Sequence, residues 1–359
     1  MKIKRTKNLL YIFSSVMVLG LALISFDAPK PAEQTVALPT PTPTAKANTP
    51  TLAPTKSPEH TATPTPTPSS TPTPTPSPTP TPSLAQLNAA IAIRPADDET
   101  GAGLTTVLTD YLTNYYKDET LQVKEINNIT CYYKEGLADI TYFVYVTYDI
   151  TYEGSNVPIP TLEEYLVSVE GGTVSVHTTS EDTDVKEALV LSRGSESVSE
   201  LYIKELLRCY MNAKLAVDEA LLASMVTDPS YLNMENIRKK TEYIEGYTNL
   251  KYLIYKAPEE VTEFDYLVFL ANDSKIVNIS TLAAGLEEFC ITFDDNNYPY
   301  IFYGITSTTT DIFRRSVRSE KTYEDFVITN VVVPLDNAMD NDPDLKEFIN
   351  RINSATGEN

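Results

Sequence analysis

The sequence predicts an α+β protein of two similar units, each a helical segment followed by an antiparallel sheet. Three observations predict it. Leu104, Val107, Leu108, Tyr111, Leu112 and Tyr115 keep the 3.6-residue period of an amphipathic helix, and helical spacing resumes at Val198. Runs rich in β-branched and aromatic residues, punctuated by turn residues, follow each helical stretch. Finally, residues 142–172 align without a gap on residues 266–296.

In the first unit the helix is followed by expected strands at 122–133, 140–152, 164–169 and 173–178, with Gly171-Gly172 as the hairpin turn. A polar stretch at 180–187, then Arg193-Gly194-Ser195, reads as a domain boundary. The second unit opens with Ser197-x-x-Glu200, a capping box, and Val198, Leu201, Tyr202, Leu206, Cys209, Tyr210 and Ala213 keep helical spacing. Helices at 218–226 and 233–243 follow. Strands are expected at 248–255, 265–270, 287–293 and 298–303, with Asp294-Asp295-Asn296-Asn297 as the last turn. Thr322-x-x-Asp325 starts a helix kinked near Pro334. Asp342-Pro343-Asp344 caps a final helix, with proline at its favoured first position.

Within the self-alignment Tyr142/Tyr266, Val144/Val268, Asp149/Asp273, Leu162/Leu286, Glu163/Glu287 and Glu164/Glu288 are identical. Tyr145/Phe269 and Tyr165/Phe289 are conservative. Upstream, with a two-residue shift, Asn127, Tyr133 and Lys134 match Asn249, Tyr255 and Lys256.

The chain of 359 residues carries 28 Lys+Arg against 49 Asp+Glu, with 25 Pro, 23 Tyr, 3 Cys, 2 His and no Trp. Its parts differ sharply. Lys2, Lys4, Arg5 and Lys7 precede residues 9–26, eighteen residues without a charge. At about 1.5 Å per residue that run nearly crosses a hydrocarbon core of roughly 30 Å. It reads as a transmembrane signal anchor, with residues 1–8 as a basic cytoplasmic tail and the bulk of the chain extracellular. A cleaved secretory signal is the rival reading. Against it stand the length of the apolar run and the lack of an A-x-A site before Asp27, and no Cys follows that would make a lipobox. Residues 27–83 hold 17 of the prolines, alternating with Thr and Ser. Such a run extends as polyproline II, a disordered stalk reaching on the order of 170 Å. It resembles the Pro/Thr linkers of Gram-positive secreted and wall-spanning proteins. Residues 84–359 keep 21 basic and 46 acidic residues, a net −25, which excludes nucleic acid as a general partner.

Helices first, then antiparallel strands ending in a Leu-Glu-Glu-aromatic strand and a hairpin, resemble the cone fold of the nuclear transport factor 2-like superfamily, with the cystatin-like roll its cousin. The resemblance covers about residues 104–305 and implies a curved sheet packed on N-terminal helices in each of two units. These span 84–190, with a reduced helical part, and 195–318; C-terminal helices occupy 319–359. Tandem domains of this type behind one membrane helix occur in Gram-positive envelope proteins of unassigned function and in scaffold components of conjugation channels. Cone-fold enzymes such as ketosteroid isomerase and SnoaL-like cyclases use a Tyr or Asp pointing into the cone. By that resemblance Tyr202 or Tyr210, with Asp265 or Asp273, would take those roles; buried core tyrosine is the plainer reading.

The chemical vocabulary is otherwise sparse. His60 lies in the stalk and His177 near the end of a strand, so no Ser-His-Asp or Cys-His constellation is expected. Cys131, Cys209 and Cys290 are far apart without a CxxC, which reads as buried small hydrophobes rather than a metal site. Asp340-x-Asp342-x-Asp344 resembles half of an EF-hand loop, but Leu345 stands where Gly is needed and Arg351 where a bidentate Glu is needed. The adjacent glutamates Glu163-Glu164 and Glu287-Glu288 point to opposite faces of a strand, and their recurrence argues for a structural role. Glu259-Glu260 and Asp294-Asp295 read as solvated loops. Tyr132, Tyr133, Tyr142, Tyr145, Tyr148 and Tyr152 crowd the first sheet on both faces, so some are expected to be exposed for protein or glycan contact, with the lack of Trp disfavouring glycan.

The reading is therefore a non-catalytic, membrane-anchored extracytoplasmic protein that binds an envelope protein or small ligand. No catalytic, cofactor-binding or metal residue is assigned and no cofactor is expected; the lipid bilayer is contacted through residues 9–26, and nucleic acid is not a partner. A scaffold of an envelope assembly and a small-molecule isomerase or cyclase are the alternatives.

Overall fold

The computed structural model describes residues 83–136, 140–155, 157–178 and 182–355. The expected basic tail, the anchor and the stalk up to residue 82 lie outside the described residues, as does His60. Among the described residues no helix is long and apolar enough to cross a membrane.

Two antiparallel sheets carry the α+β fold. The first has the order β1 (Arg94–Pro95), β2 (Val123–Glu135), β3 (Tyr142–Tyr152), β4 (Ile159–Glu170) and β5 (Thr173–His177). The second has β6 (Ile244–Lys256), β7 (Tyr266–Ile276), β8 (Ala283–Phe293) and β9 (Pro299–Ile301). Helices α1 (Leu84–Ala89) and α2 (Glu99–Tyr115) precede or interrupt the strands of the first sheet, and α3 (Thr183–Arg193) follows it. Helices α4 (Glu196–Ala216), α5 (Glu219–Ser224) and α6 (Met234–Thr241) precede the second sheet, and α7 (Thr308–Arg318), α8 (Lys321–Val327), α9 (Val333–Asn341) and α10 (Pro343–Ala355) follow it.

Strand β3 is buried at every position from Phe143 to Thr151. Because successive side chains point to opposite faces, continuous burial requires a cover on both. On one face Leu104, Leu108 and Leu112 of α2 pack on Val144, Val146, Tyr148 and Tyr165. On the other, Val185 and Ala188 of α3 with Val198, Leu201 and Tyr202 of α4 pack on Phe143, Tyr145 and Leu166. The second sheet repeats the plan. Ile203, Leu207, Tyr210 and Met211 of α4 cover Val268, Leu270 and Phe289, and Val317, Tyr323, Val327, Leu335 and Leu345 cover Leu267, Phe269 and Ala271. The apolar contacts of α4 with the first sheet fall in its first two turns and those with the second sheet further along, while Arg208 and Asn212 still bond Asp149 of β3 and the Pro158 carbonyl just ahead of β4. Each sheet lies between preceding and following helices, not on N-terminal helices alone.

This two-sided cover changes the tyrosine expectation. Of the six in the first sheet, Tyr133, Tyr145 and Tyr148 are fully buried and only Tyr152 is exposed.

The two sheets also match in their irregularities. β2 breaks register against β3 between Val123 and Glu125 and again between Asn127 and Thr130; β6 breaks against β7 between Ile244 and Gly246 and between Thr248 and Lys251. These positions differ by a constant 121. With Tyr133 opposite Val144 and Ile254 opposite Val268, the counterpart of Tyr133 is Ile254 and that of Asn249 is Asn128. The upstream match of Asn127, Tyr133 and Lys134 to Asn249, Tyr255 and Lys256 is thus one residue out, a slip that would turn every side chain to the wrong face.

Several local expectations are corrected. No element is expected from the polar stretch through Arg193-Gly194-Ser195, yet residues 183–193 form α3, capped by Asp182, whose side chain accepts from the amides of Asp184 and Val185. Helix α4 starts at Glu196 after Ser195, so Ser197 makes no capping box; its hydroxyl accepts from the Ile93 amide instead. α7 lies between the strand expected at 298–303 and the helix expected from Thr322, within the second unit, where no element is assigned from the sequence. Ahead of Pro334, five residues, Ile328–Val332, widen into a π-helical turn, which accommodates the missing proline donor. Gly171 and Gly172 make the hairpin with φ of 54° and 83°, and Asp342 caps α10 as read from the sequence.

Candidate functional site

β5 pairs with β4 only from Leu166 to Glu170. Residues 159–165 of β4 extend past it, with β3 on one side and no strand on the other among the described residues. At this open edge lies a cleft of about 690 Å³, walled by α2, β4, α3, the second turn of α4 and the β8–β9 turn. Its lining includes Tyr111, Tyr115, Tyr165, Tyr202 and Tyr298, with Glu163, Glu164, Lys186 and Arg193 as the charged groups.

The adjacent glutamates leave β4 on opposite faces. Glu164 turns toward α3, where the Arg193 Nε donates to its Oε1 at 2.9 Å and Nη2 reaches Oε2 at 2.5 Å, a two-point contact that fixes the carboxylate plane. Arg193 also donates to the Asn296 carbonyl at 3.1 Å, and its guanidinium lies 4.3 Å from the Tyr298 ring centroid. One arginine thus joins the first sheet to the turn of the second. Burial, and after it the Glu164 charge, pushes the Tyr202 hydroxyl well above its ordinary value, so it remains a neutral donor. Glu163 turns toward α2 and accepts from the Tyr165 hydroxyl. Burial, followed by that bond to Glu163, likewise holds the Tyr165 hydroxyl protonated. Tyr111 packs edge-on against Tyr165 with centroids 5.5 Å apart and stacks on Tyr115 at 6.5 Å.

Beneath the Arg193 side of the cleft, Lys134 is buried and donates to the Ser192 Oγ at 2.7 Å. Burial lowers its ammonium to about 8, with the Glu164 charge opposing. Ser192 is itself fully buried and donates to the Ala188 carbonyl, so this serine and lysine brace α3 against the sheet out of reach of a solute.

Of the residues considered from sequence, Tyr202 lines the cleft. Tyr210 shares a 2.6 Å hydrogen bond with Tyr303 in the core of the second sheet. Asp265 accepts from the Phe293 amide, and Asp273 accepts from Asn249 at a β-bulge, so these four are not brought to one place. His177 is exposed on the edge strand, its ring nitrogen 3.4 Å from the Ser168 hydroxyl. Cys131, Cys209 and Cys290 are free thiols, raised by burial. Among the described residues no group of three or more His, Cys, Asp or Glu is placed to hold a metal ion. The contributions of Arg193, Tyr111, Tyr115 and Tyr298 were not singled out in the sequence. The signal for Arg193 is an arginine some thirty residues after the second glutamate of the pair: Arg193 follows Glu164 by 29 residues, and Arg314 and Arg318 follow Glu288 by 26 and 30.

Compared with protein-family models, with curated proteins and with solved structures, the chain matches none.

Proposed function

We propose that the chain is a non-catalytic, single-pass protein of the cell envelope, held by residues 9–26 and extended by the Pro/Thr stalk. It presents two nuclear transport factor 2-like units outside the membrane and holds a protein or small ligand in the cleft beside Glu163 and Glu164. The observation that carries this reading is the lining of that cleft: five tyrosine rings and a preformed ion pair at an unpaired strand edge. Tyrosine offers large contact area with a polar tip, which suits binding surfaces. The helix-then-sheet order in both halves supports the cone-fold resemblance, and the helices on the second face of each sheet are its departure. The net −25 of residues 84–359 favours a partner bearing positive charge.

The test is photo-cross-linking in intact cells with full-length protein carrying the cross-linker at position 115 or 298, with position 243 as an exposed control. Capture of the same envelope proteins or the same small adduct from the first two positions, and not from the third, is expected. Equal capture from all three removes the cleft from the reading. A cysteine-accessibility map placing residues after 84 in the cytoplasm removes the envelope.

A further inference from the structure

The second sheet contains a filled version of the cleft's α2 side. There Lys214 of α4 donates its ammonium to the Glu287 Oε2 at 2.8 Å, lies 5.6 Å from the Tyr210 ring centroid, and is 3 % exposed. Glu287 is opposite Leu270 in the sheet as Glu163 is opposite Val146, so the two glutamates occupy the same position. The helices match as well. Tyr210 packs edge-on against Phe289 at 5.7 Å as Tyr111 packs against Tyr165 at 5.5 Å. Leu104, Leu108 and Leu112 fall where Ile203, Leu207 and Met211 fall, each set buried against its sheet. With Tyr111 in the place of Tyr210, the residue one turn further on is Tyr115 in α2 and Lys214 in α4.

The consequence is a difference in charge. Glu287 has its cation within the chain. Glu163 has a tyrosine at the corresponding helix position, and among the described residues no cation pairs with it. The Tyr165 hydroxyl, where the second sheet has Phe289, satisfies one carboxylate oxygen but leaves the charge in place. Arg193 and Lys186 come from α3, which packs on the opposite face, and Arg193 is already held by Glu164. Tyr115 is 53 % exposed at the mouth of the cleft, and with Tyr111 and Tyr165 it forms an aromatic wall beside Glu163. A carboxylate among tyrosine rings favours an organic cation through charge and cation–π attraction together.

We infer that this cleft binds an alkylammonium group, with Glu163 as its counter-charge and Tyr111, Tyr115 and Tyr165 as its walls, in the arrangement that Lys214 makes internally in the second sheet. The inference rests on the cleft being the binding site. The ammonium belongs either to a free amine or to a lysine side chain of a protein partner.

The experiment is calorimetric titration of the full chain with pentylamine, with a short peptide bearing one lysine, and with pentanol and the norleucine peptide as uncharged controls. Saturable binding of pentylamine assigns the site to free amines, and binding of the lysine peptide alone assigns it to a protein partner. In either case the matching control should not bind. Glu163→Gln keeps an acceptor for Tyr165 but removes the charge, and should weaken binding about tenfold or more. Tyr115→Lys supplies the ammonium from within the chain, as Lys214 does, and should abolish binding while raising the melting temperature. Absence of binding by both cations, or binding that either substitution leaves unchanged, overturns the inference. If cross-linking from position 115 still captures a defined partner in that event, the cleft remains a binding site and only the ligand chemistry is wrong.

Discussion

Asn249 donates its side-chain amide to Asp273 at 2.7 Å from a left-handed backbone φ of 52°, and Asn128 and Asp149 repeat the arrangement at 2.7 Å and 56°. Each asparagine sits in the bulge of the first long strand of its sheet and ties it to the next. Asparagine suits the place because it tolerates positive φ and carries a donor. Asn249→Ala loses both and is expected to destabilise by about 1–2 kcal/mol. Asn249→Gly loses only the hydrogen bond and should cost less. Urea unfolding of both variants checks the order; equal losses would mean that backbone strain plays no part.

The buried pair of Lys214 and Glu287 links α4 to β8 with both side chains under a tenth exposed. Removing one partner strands the other charge. Lys214→Met is expected to destabilise by roughly 3–5 kcal/mol, whereas Lys214→Met with Glu287→Leu should recover most of that loss. The double variant tells a charge effect from a packing effect. Failure of the second change to restore stability would assign the loss to packing of the lysine stem.

What could be read from the sequence was what apolar periodicity and turn chemistry write. The α2 stripe, the glycine hairpin and the Asp342 cap stand where they were expected. Helices α3 and α7 were not legible, and for a shared reason. Both follow a sheet and both anchor through arginine to the second glutamate of the repeated pair, Arg193 to Glu164 and Arg314 with Arg318 to Glu288. α7 buries only Thr310 and Val317, so little hydrophobic pattern marks it. The cleft was illegible too, because it depends on where β5 stops pairing with β4 and on tertiary placement of Tyr298. Reading Glu163-Glu164 as structural held for Glu164, whose bonds join elements, while Glu163 gains its interest only by contrast with Glu287.

Gly101 in the first turn of α2 passes close to β1. A Cβ built there would lie 2.3 Å from the Ala96 Cα, a backbone atom that cannot move aside without shifting the strand. Its amide also donates to the Asp98 cap at 2.7 Å. Gly101→Ala is therefore expected to destabilise by about 1–3 kcal/mol despite alanine's better helix propensity. Gly103→Ala, where nothing lies within 4 Å, should be neutral or stabilising. Thermal melts of the pair make the comparison, and equal shifts would show that α2 can move away from β1.

Lys134 makes stability depend on pH in a direction that can be worked out. Burial first, with the charge of Glu164 opposing, brings its ammonium down to about 8 from 10.5. The folded protein then binds fewer protons than the unfolded chain between those two values, so this group's contribution to stability rises with pH across that window. Below about 8 the folded state carries the buried cation at its full penalty. The rise amounts to about 3 kcal/mol at most. Ionisation of other groups acts on the wild type and on Lys134→Met alike, so the difference between them isolates the lysine. The stability advantage of Lys134→Met over wild type, measured by urea midpoints, should shrink from pH 7.5 to pH 10. Parallel curves over that range would mean that Lys134 keeps an ordinary ammonium in the folded state, with Ser192 and Glu164 compensating its burial.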